Sequence, residues 1–355
     1  MRRGSRVHGT LTRALLVVKR LLPRLGATIL SLLGLSILSF IIARVLPGDP
    51  IRAALGPNTP QWVIDQVSKQ MGFDKPIYLQ FFYWLGGALQ GNLGVSLFTR
   101  RAVMTDILKF FPATLELIIW STIFQVIPAI FLGVIAGRYA NTLIDNLIRV
   151  FSYVGAAFPS FVVSIVEILV FGQWLHILPY SGRIDSSVIK PPNITGMITF
   201  DALLTGNMPA FVNAFLHIIL PASALAFTLA AVLTRIVRAG VLENANQDYI
   251  LSATSHGIPE RTIMLKYILK PSLIPAMAVI GLNFGNMLSS LFVTEVIFNW
   301  PGFAWYGLNA MLTKDINAIV GVIVVTGLVY AICNIVIDVL TDYLDPRISA
   351  TGMGV

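Results

Sequence analysis

Residues 25–43 read LGATILSLLGLSILSFIIA, and this stretch decides the class of fold. It runs for 19 residues without a charge, about 28 Å of helix at ~1.5 Å per residue. A bilayer core is about 30 Å thick, so such a helix crosses it with little mismatch. The stretch ends in Arg44 and then Leu46, Pro47, Gly48, Asp49 and Pro50, not in a small-residue cleavage site. It therefore reads as a retained anchor and not as a signal peptide. The whole chain agrees: its 355 residues are 56% hydrophobic and 12% charged, and its mean hydropathy is +0.78. A soluble chain of this length carries roughly twice that charge, so lipid has to cover much of the apolar surface.

Further apolar stretches repeat the signal. Beyond the first, at Leu25 to Val45, they run from Leu117 to Gly137, Val150 to Leu175, Phe211 to Leu233, Leu273 to Val293 and Ile316 to Val336. Together they predict an all-α membrane protein with six transmembrane helices. Internal glycines and prolines, among them Pro128, Gly133, Pro159, Pro221 and Gly327, suit close helix packing and kinks. The net charge of +8 does not point to nucleic acid, because lysine and arginine lie between apolar runs and not on one basic face.

Those cations set the orientation. The tail carries Arg2, Arg3, Arg6, Arg13, Lys19, Arg20 and Arg24 and no acid. Arg138 and Arg149 follow the second span, and Arg235, Arg238, Arg261, Lys266 and Lys270 follow the fourth. On the opposite side the last two loops hold only Arg183 and Lys190, then Lys314; the segment from Leu46 to Pro112 is also basic but exceeds the ~60 residues over which the rule operates. Both termini are expected in the cytoplasm. In the tail, Leu11, Ala14, Leu15, Val18 and Leu22 repeat at helical spacing. Two readings stand there: a helix lying on the inner leaflet, or a continuation of the first span.

The expected partition is a basic tail over 1–24, a first span over 25–45 and an outside helical segment over 46–112. A five-helix core over 113–340 then carries a cytoplasmic loop over 235–272, and a tail over 341–355 closes the chain. In the outside segment, Thr59 before Pro60 opens a helix that Gly72 ends, and a second begins after Asp74, Lys75 and Pro76 and runs to Leu89. A lid or a docking surface is its natural reading.

The cytoplasmic loop is the most informative segment. Asp248, Tyr249, Ala253 and His256 lie on a short polar helix that Gly257 ends with a left-handed cap. After Ile258, Pro259 and Glu260 open a second helix, continuing through Arg261 to Leu269, with Lys266 and Lys270 at its expected C-terminal end. Helix, glycine, helix between two spans predicts a rigid elbow that can transmit a push into the bundle.

These residues, with the prolines at 271 and 275, resemble the coupling loop of ATP-binding cassette importer permeases of the oligopeptide, dipeptide and nickel branch. The resemblance extends from Leu46 through Pro50, through Met71 to Pro76, Pro112 to Glu116, Leu178 and Pro179 and then Ser181 and Gly182. It continues through Ile297 and Phe298, Pro301 and Gly302, to Asp345, Pro346 and Arg347. The long segment after the first span resembles the first of the two permeases in such systems. One departure stands: where the broader family often has Glu-Ala-Ala, this chain has Leu251, Ser252 and Ala253.

The resemblance implies a type I importer permease in the bacterial inner membrane, paired with a second homologous permease. Two ATPase subunits, which hold ATP and magnesium, would dock on the elbow, and an extracytoplasmic binding protein would deliver di- or oligopeptides. Nickel complexes and oligosaccharides are alternative cargoes. This chain carries no phosphate loop, so it needs energy from another subunit or an ion gradient. His8, His176, His217 and His256 lack metal-site spacing and read as surface or interface residues. No catalytic, cofactor or metal residue is expected. The competitors are an ion-coupled transporter, for which the paired repeats are missing, and an intramembrane protease, for which no nucleophile–base pair is readable.

Weaker candidates remain. Glu167, Asn283 and Asn286 fall inside spans, where polar groups are costly, and either line the path or bond between helices. Glu116 sits near the outer end of a span and is expected to be solvated. Trp300, Phe303, Trp305 and Tyr306 form an aromatic segment, read either as an interfacial belt or as contacts for the binding protein.

Overall fold

The computed structural model describes residues 26–42, 51–52, 56, 58–70, 72 and 74–344, with side chains described for all of these save 70 and 337–344. The tail over 1–24, the Leu46 to Pro50 motif, Met71, Phe73 and the motif at Asp345 to Arg347 lie outside the described residues. Among the described residues the chain is helical, with one isolated bridge between Val95 and Ala102. The helices are α1 Gly26–Ile42, α2 Gln61–Gln70, α3 Ile77–Leu89, α4 Val103–Arg138, α5 Leu143–Ala157, α6 Ser160–Trp174 and α7 Ile198–Leu204. They continue as α8 Met208–Ala245, α9 Asp248–Ser255, α10 Glu260–Ile297, α11 Phe303–Leu312 and α12 Ile316–Leu344.

Four of these, α4, α8, α10 and the Ile316–Val336 part of α12, are long and apolar enough to cross a membrane. The apolar α1 is shorter. The expected third span is not one straight helix: α5 and α6 meet at 104°. The cause is Pro159, which forces the residue before it out of helical geometry; Phe158 is extended at ψ 126°. The Phe158 carbonyl loses its helical partner and accepts instead from the Thr228 hydroxyl at 2.8 Å, which ties the break to α8.

The chain divides into two compact units. The first combines Met1–Met104 with Ala310–Ala331. In it Phe40, near the end of α1, packs its ring against Phe81 and Trp84 of α3 at 5.4 and 6.2 Å between centroids. The bare backbone of Gly327 lets α12 approach Leu32 and Leu35 of α1. Asp315 caps α12 by accepting from Ala318 N, and it also accepts from the Ser96 hydroxyl at 2.5 Å and from Phe98 N at 3.2 Å. Thr59 does not cap α2 as expected; its hydroxyl turns back to the Gly56 carbonyl at 2.9 Å.

The second unit holds Thr105–Asn309 and Ile332–Val355, and α8 is its axis, packing against α5, α6, α7 and α10. Gly133 and Gly137, one turn apart on α4, face Val237 and Val241 of α8 so closely that a Cβ on either would lie 2.7 Å from a valine Cβ. This is the small-residue contact that lets membrane helices approach without a hydrophobic driving force. Near the opposite end of α4, Glu116 is fully buried and not solvated as expected. It accepts from Arg183 at 2.5 Å and from the backbone N and hydroxyl of Thr199 at 2.6 and 2.7 Å. A buried carboxylate is tolerable only with such a set of donors.

Candidate functional site

The elbow forms as expected at its first half. Helix α9 runs Asp248–Ser255 and Gly257 follows with φ +72°, a conformation that costs glycine nothing and an L side chain about 1–2 kcal/mol. The second half differs. The helix that begins at Glu260 does not end at Leu269 but continues to Ile297, with a π-helical stretch over Ile263–Leu269. Lys266 and Lys270 therefore do not sit at a helix C-terminus. The continuous helix makes the elbow a direct extension of a helix long and apolar enough to cross a membrane.

Three contacts fasten it. Ala253 is buried, and Ile250, Ile258 and Met264 pack with Leu233, Val237 and Val241 of α8 and with Ile263, Ile268 and Ala276 of α10. Arg138, at the end of α4, pairs with Glu260 at 2.7 Å, although both are exposed and such a pair contributes little alone. The Tyr249 hydroxyl lies 3.1 Å from Asn244 Oδ1 and 3.3 Å from the Tyr267 carbonyl. Pro271 has no N–H to offer that carbonyl at the usual helical spacing, so the tyrosine supplies a donor where the sequence removes one. Beside the elbow, Asp145 of α5 is fully buried and accepts from Arg238 Nε at 2.5 Å and Nη2 at 2.7 Å, a bidentate pair across the α5–α8 contact.

The outer face of the elbow is left open. Asp248, Tyr249, His256, Gly257, Pro259, Glu260 and Arg261 are exposed. So is Leu251, at 71%. Leu251 stands at a family position that is often acidic, and unlike Ile250 and Ile258 of the same loop, which pack against the core, it leaves a large apolar side chain to solvent. Ile258 is half-buried at the hinge.

The remaining candidates do not converge on one site. Glu167 accepts from the Ser223 hydroxyl of α8 at 3.0 Å, so it bonds between helices. Asn283 is buried within the chain and Asn286 is exposed. The aromatic segment is a correction as a set of docking tips: Trp300, Phe303 and Tyr306 are buried in the chain itself. Trp300 donates its indole N–H to the Ala113 carbonyl at 3.0 Å, and Trp305 gives its backbone N–H to buried Glu295 at 2.7 Å. Thr114 ties the same corner, donating to Glu295 and accepting from Phe303 N. Of the two readings of His217, surface or interface, burial removes the first; its Nδ1 lies 2.8 Å from the Asn213 carbonyl.

Comparison with known proteins agrees with this architecture. Residues 129–350 match the family described as binding-protein-dependent transport system inner membrane component, and residues 17–118 match the N-terminal segment of such components. A probable D,D-dipeptide transport system permease protein of Escherichia coli K12 is 35% identical over 329 residues, 93% of this chain and 97% of the relative. A di/tripeptide transport system permease protein of Pseudomonas aeruginosa is 33% identical over 92% of this chain and 97% of its own length. A glutathione transport system permease protein of Escherichia coli O6:H1 is 32% identical over 94% and 98%. The chain thus belongs to the binding-protein-dependent transport system inner membrane components, as a transport permease and not an enzyme.

Proposed function

We propose that the chain is the membrane-spanning permease of an ATP-driven importer of di- and oligopeptides, with both termini in the cytoplasm. It pairs with a second, homologous permease to enclose the path. Two ATPase subunits, which bind ATP and magnesium, seat the elbow around Gly257 in a groove, and an extracytoplasmic binding protein delivers the peptide. Closure of the ATPase pair pushes the elbow, and α10 carries the displacement into the bundle as rocking between inward- and outward-open arrangements. No bond is made or broken in this chain.

The observation that carries this reading is the elbow itself: a short helix and a positive-φ glycine fused to a membrane-length helix, packed from behind and open in front. Leu251 supplies an apolar knob for an ATPase groove, in place of the acidic grip that its family position often offers. Peptides are proposed as cargo because the relatives are named for dipeptides, di/tripeptides and glutathione, itself a tripeptide. Cells lacking this chain are expected to lose uptake of a labelled dipeptide and to regain it with the chain restored. Undiminished dipeptide uptake in the deletion strain would remove the cargo assignment.

A further inference from the structure

We infer that the groove beside α3 holds the headgroup of an anionic phospholipid at the membrane–water boundary. The groove has a volume of about 400 Å³ and is lined by Lys69, Lys75, Tyr83, Trp84, Asn92 and Asn317 among others, with no carboxylate among its described lining residues.

One span end fixes its level. Asn317, on the groove wall, lies in the first turn of α12 and donates to the Val95 carbonyl at 2.9 Å, so the groove meets the end of a helix long and apolar enough to cross a membrane. Phe40 of the apolar helix α1 packs on Phe81 and Trp84 of α3, so α3 lies against a second apolar helix. The end of α12 places the groove at the depth of lipid headgroups.

The chemistry on either side suits a lipid and not a free ion. Helix α3 exposes Tyr78, Phe82, Tyr83 and Leu89 at 63%, 64%, 64% and 82%. Positions 78, 82 and 89 recur on one stripe, distinct from the Phe81 and Trp84 side that holds Phe40. An exposed stripe of aromatic and aliphatic residues at this depth lies among acyl chains, with the rings at the headgroup boundary. The ammonium of Lys75 sits 4.2 Å from the centre of the Tyr83 ring, which holds a positive charge over the edge of that stripe. Lys69, at the end of α2, brings the second charge from the other wall. Two cations facing a groove with no counter-charge among its described lining residues, beside an apolar face, complement a phosphodiester carrying two acyl chains.

The leaflet, outer, rests on the orientation proposed above; the site does not. Its test is therefore made in nanodiscs, where both faces are accessible. The full chain is placed in phosphatidylcholine with or without phosphatidylglycerol, and amine acylation of each lysine is followed by peptide mass spectrometry. Phosphatidylglycerol is expected to slow labelling of Lys69 and Lys75 about tenfold relative to Lys190, while inorganic phosphate leaves it unchanged. The double variant Lys69→Gln, Lys75→Gln should retain about tenfold less phosphatidylglycerol through purification, read by native mass spectrometry, at unchanged phosphatidylcholine. Equal labelling in both lipids, equal protection by inorganic phosphate, or protection that appears only on adding an acidic protein partner would each overturn the inference. Undiminished dipeptide uptake in the deletion strain, with lipid protection intact, would instead count against the proposed function and leave the lipid site standing.

Discussion

At the scale of single residues, the proposed coupling rests most on Gly257 and Leu251. No atom stands within 4 Å of a Cβ built on Gly257, so a substitution there is opposed by backbone geometry alone. Gly257→Val should bend the elbow away from its φ of +72° at a cost of about 1–2 kcal/mol and uncouple ATP hydrolysis from uptake. Gly257→Asn, whose side chain tolerates the left-handed region, should keep most of the coupling. Equal coupling in the valine and asparagine variants would show that the conformation does not matter. Leu251→Asp removes an apolar side chain whose burial in a partner is worth about 1.5–3 kcal/mol. Recovery of the ATPase with the permease should fall tenfold or more, at unchanged permease yield. The positive-φ glycine was legible because glycine after a helix has one common explanation. The exposure of Leu251 was not, because only the fold shows which side of α9 packs inward.

At the scale of elements, the sequence marks where helices start and stop better than how they meet. Pro159 announced a kink, but the 104° turn between α5 and α6 depends on Thr228 receiving the freed carbonyl, and that residue lies 70 positions away. The buried pairs Asp145–Arg238 and Glu116–Arg183 are 93 and 67 positions apart, beyond any spacing rule, so Glu116 read as a solvated end-of-span acid. The π-helical stretch before Pro271 was likewise hidden: composition asked for a helix stop, while Tyr249 and the packing of Ile263 and Ile268 allow the helix to continue. Asp145→Asn would leave Arg238 without its charge partner at a tightly packed contact. It should lower stability by about 3 kcal/mol, read as a drop in the melting midpoint of the purified chain. A midpoint within error of the parent would mean that the pair is not a fastening of α5 to α8.

At the scale of the whole molecule, the class of protein was settled by apolar length and charge placement, which bilayer thickness fixes directly. Burial inside the chain is what those signals miss: an aromatic segment between spans looks the same whether its rings face lipid, a partner or the chain's own core. The central claim is that the elbow stands in the cytoplasm against an ATPase. Its most direct measurement is cross-linking of Leu251→Cys, with the native Cys333→Ala, by a maleimide–benzophenone, whose photoactivated ketone inserts into neighbouring C–H bonds, in membranes that contain the complete transporter. A cross-linked product containing the ATPase subunit is expected, with no labelling of that cysteine by an impermeant maleimide added to intact cells. Labelling from outside, together with the absence of any ATPase adduct, would contradict the account.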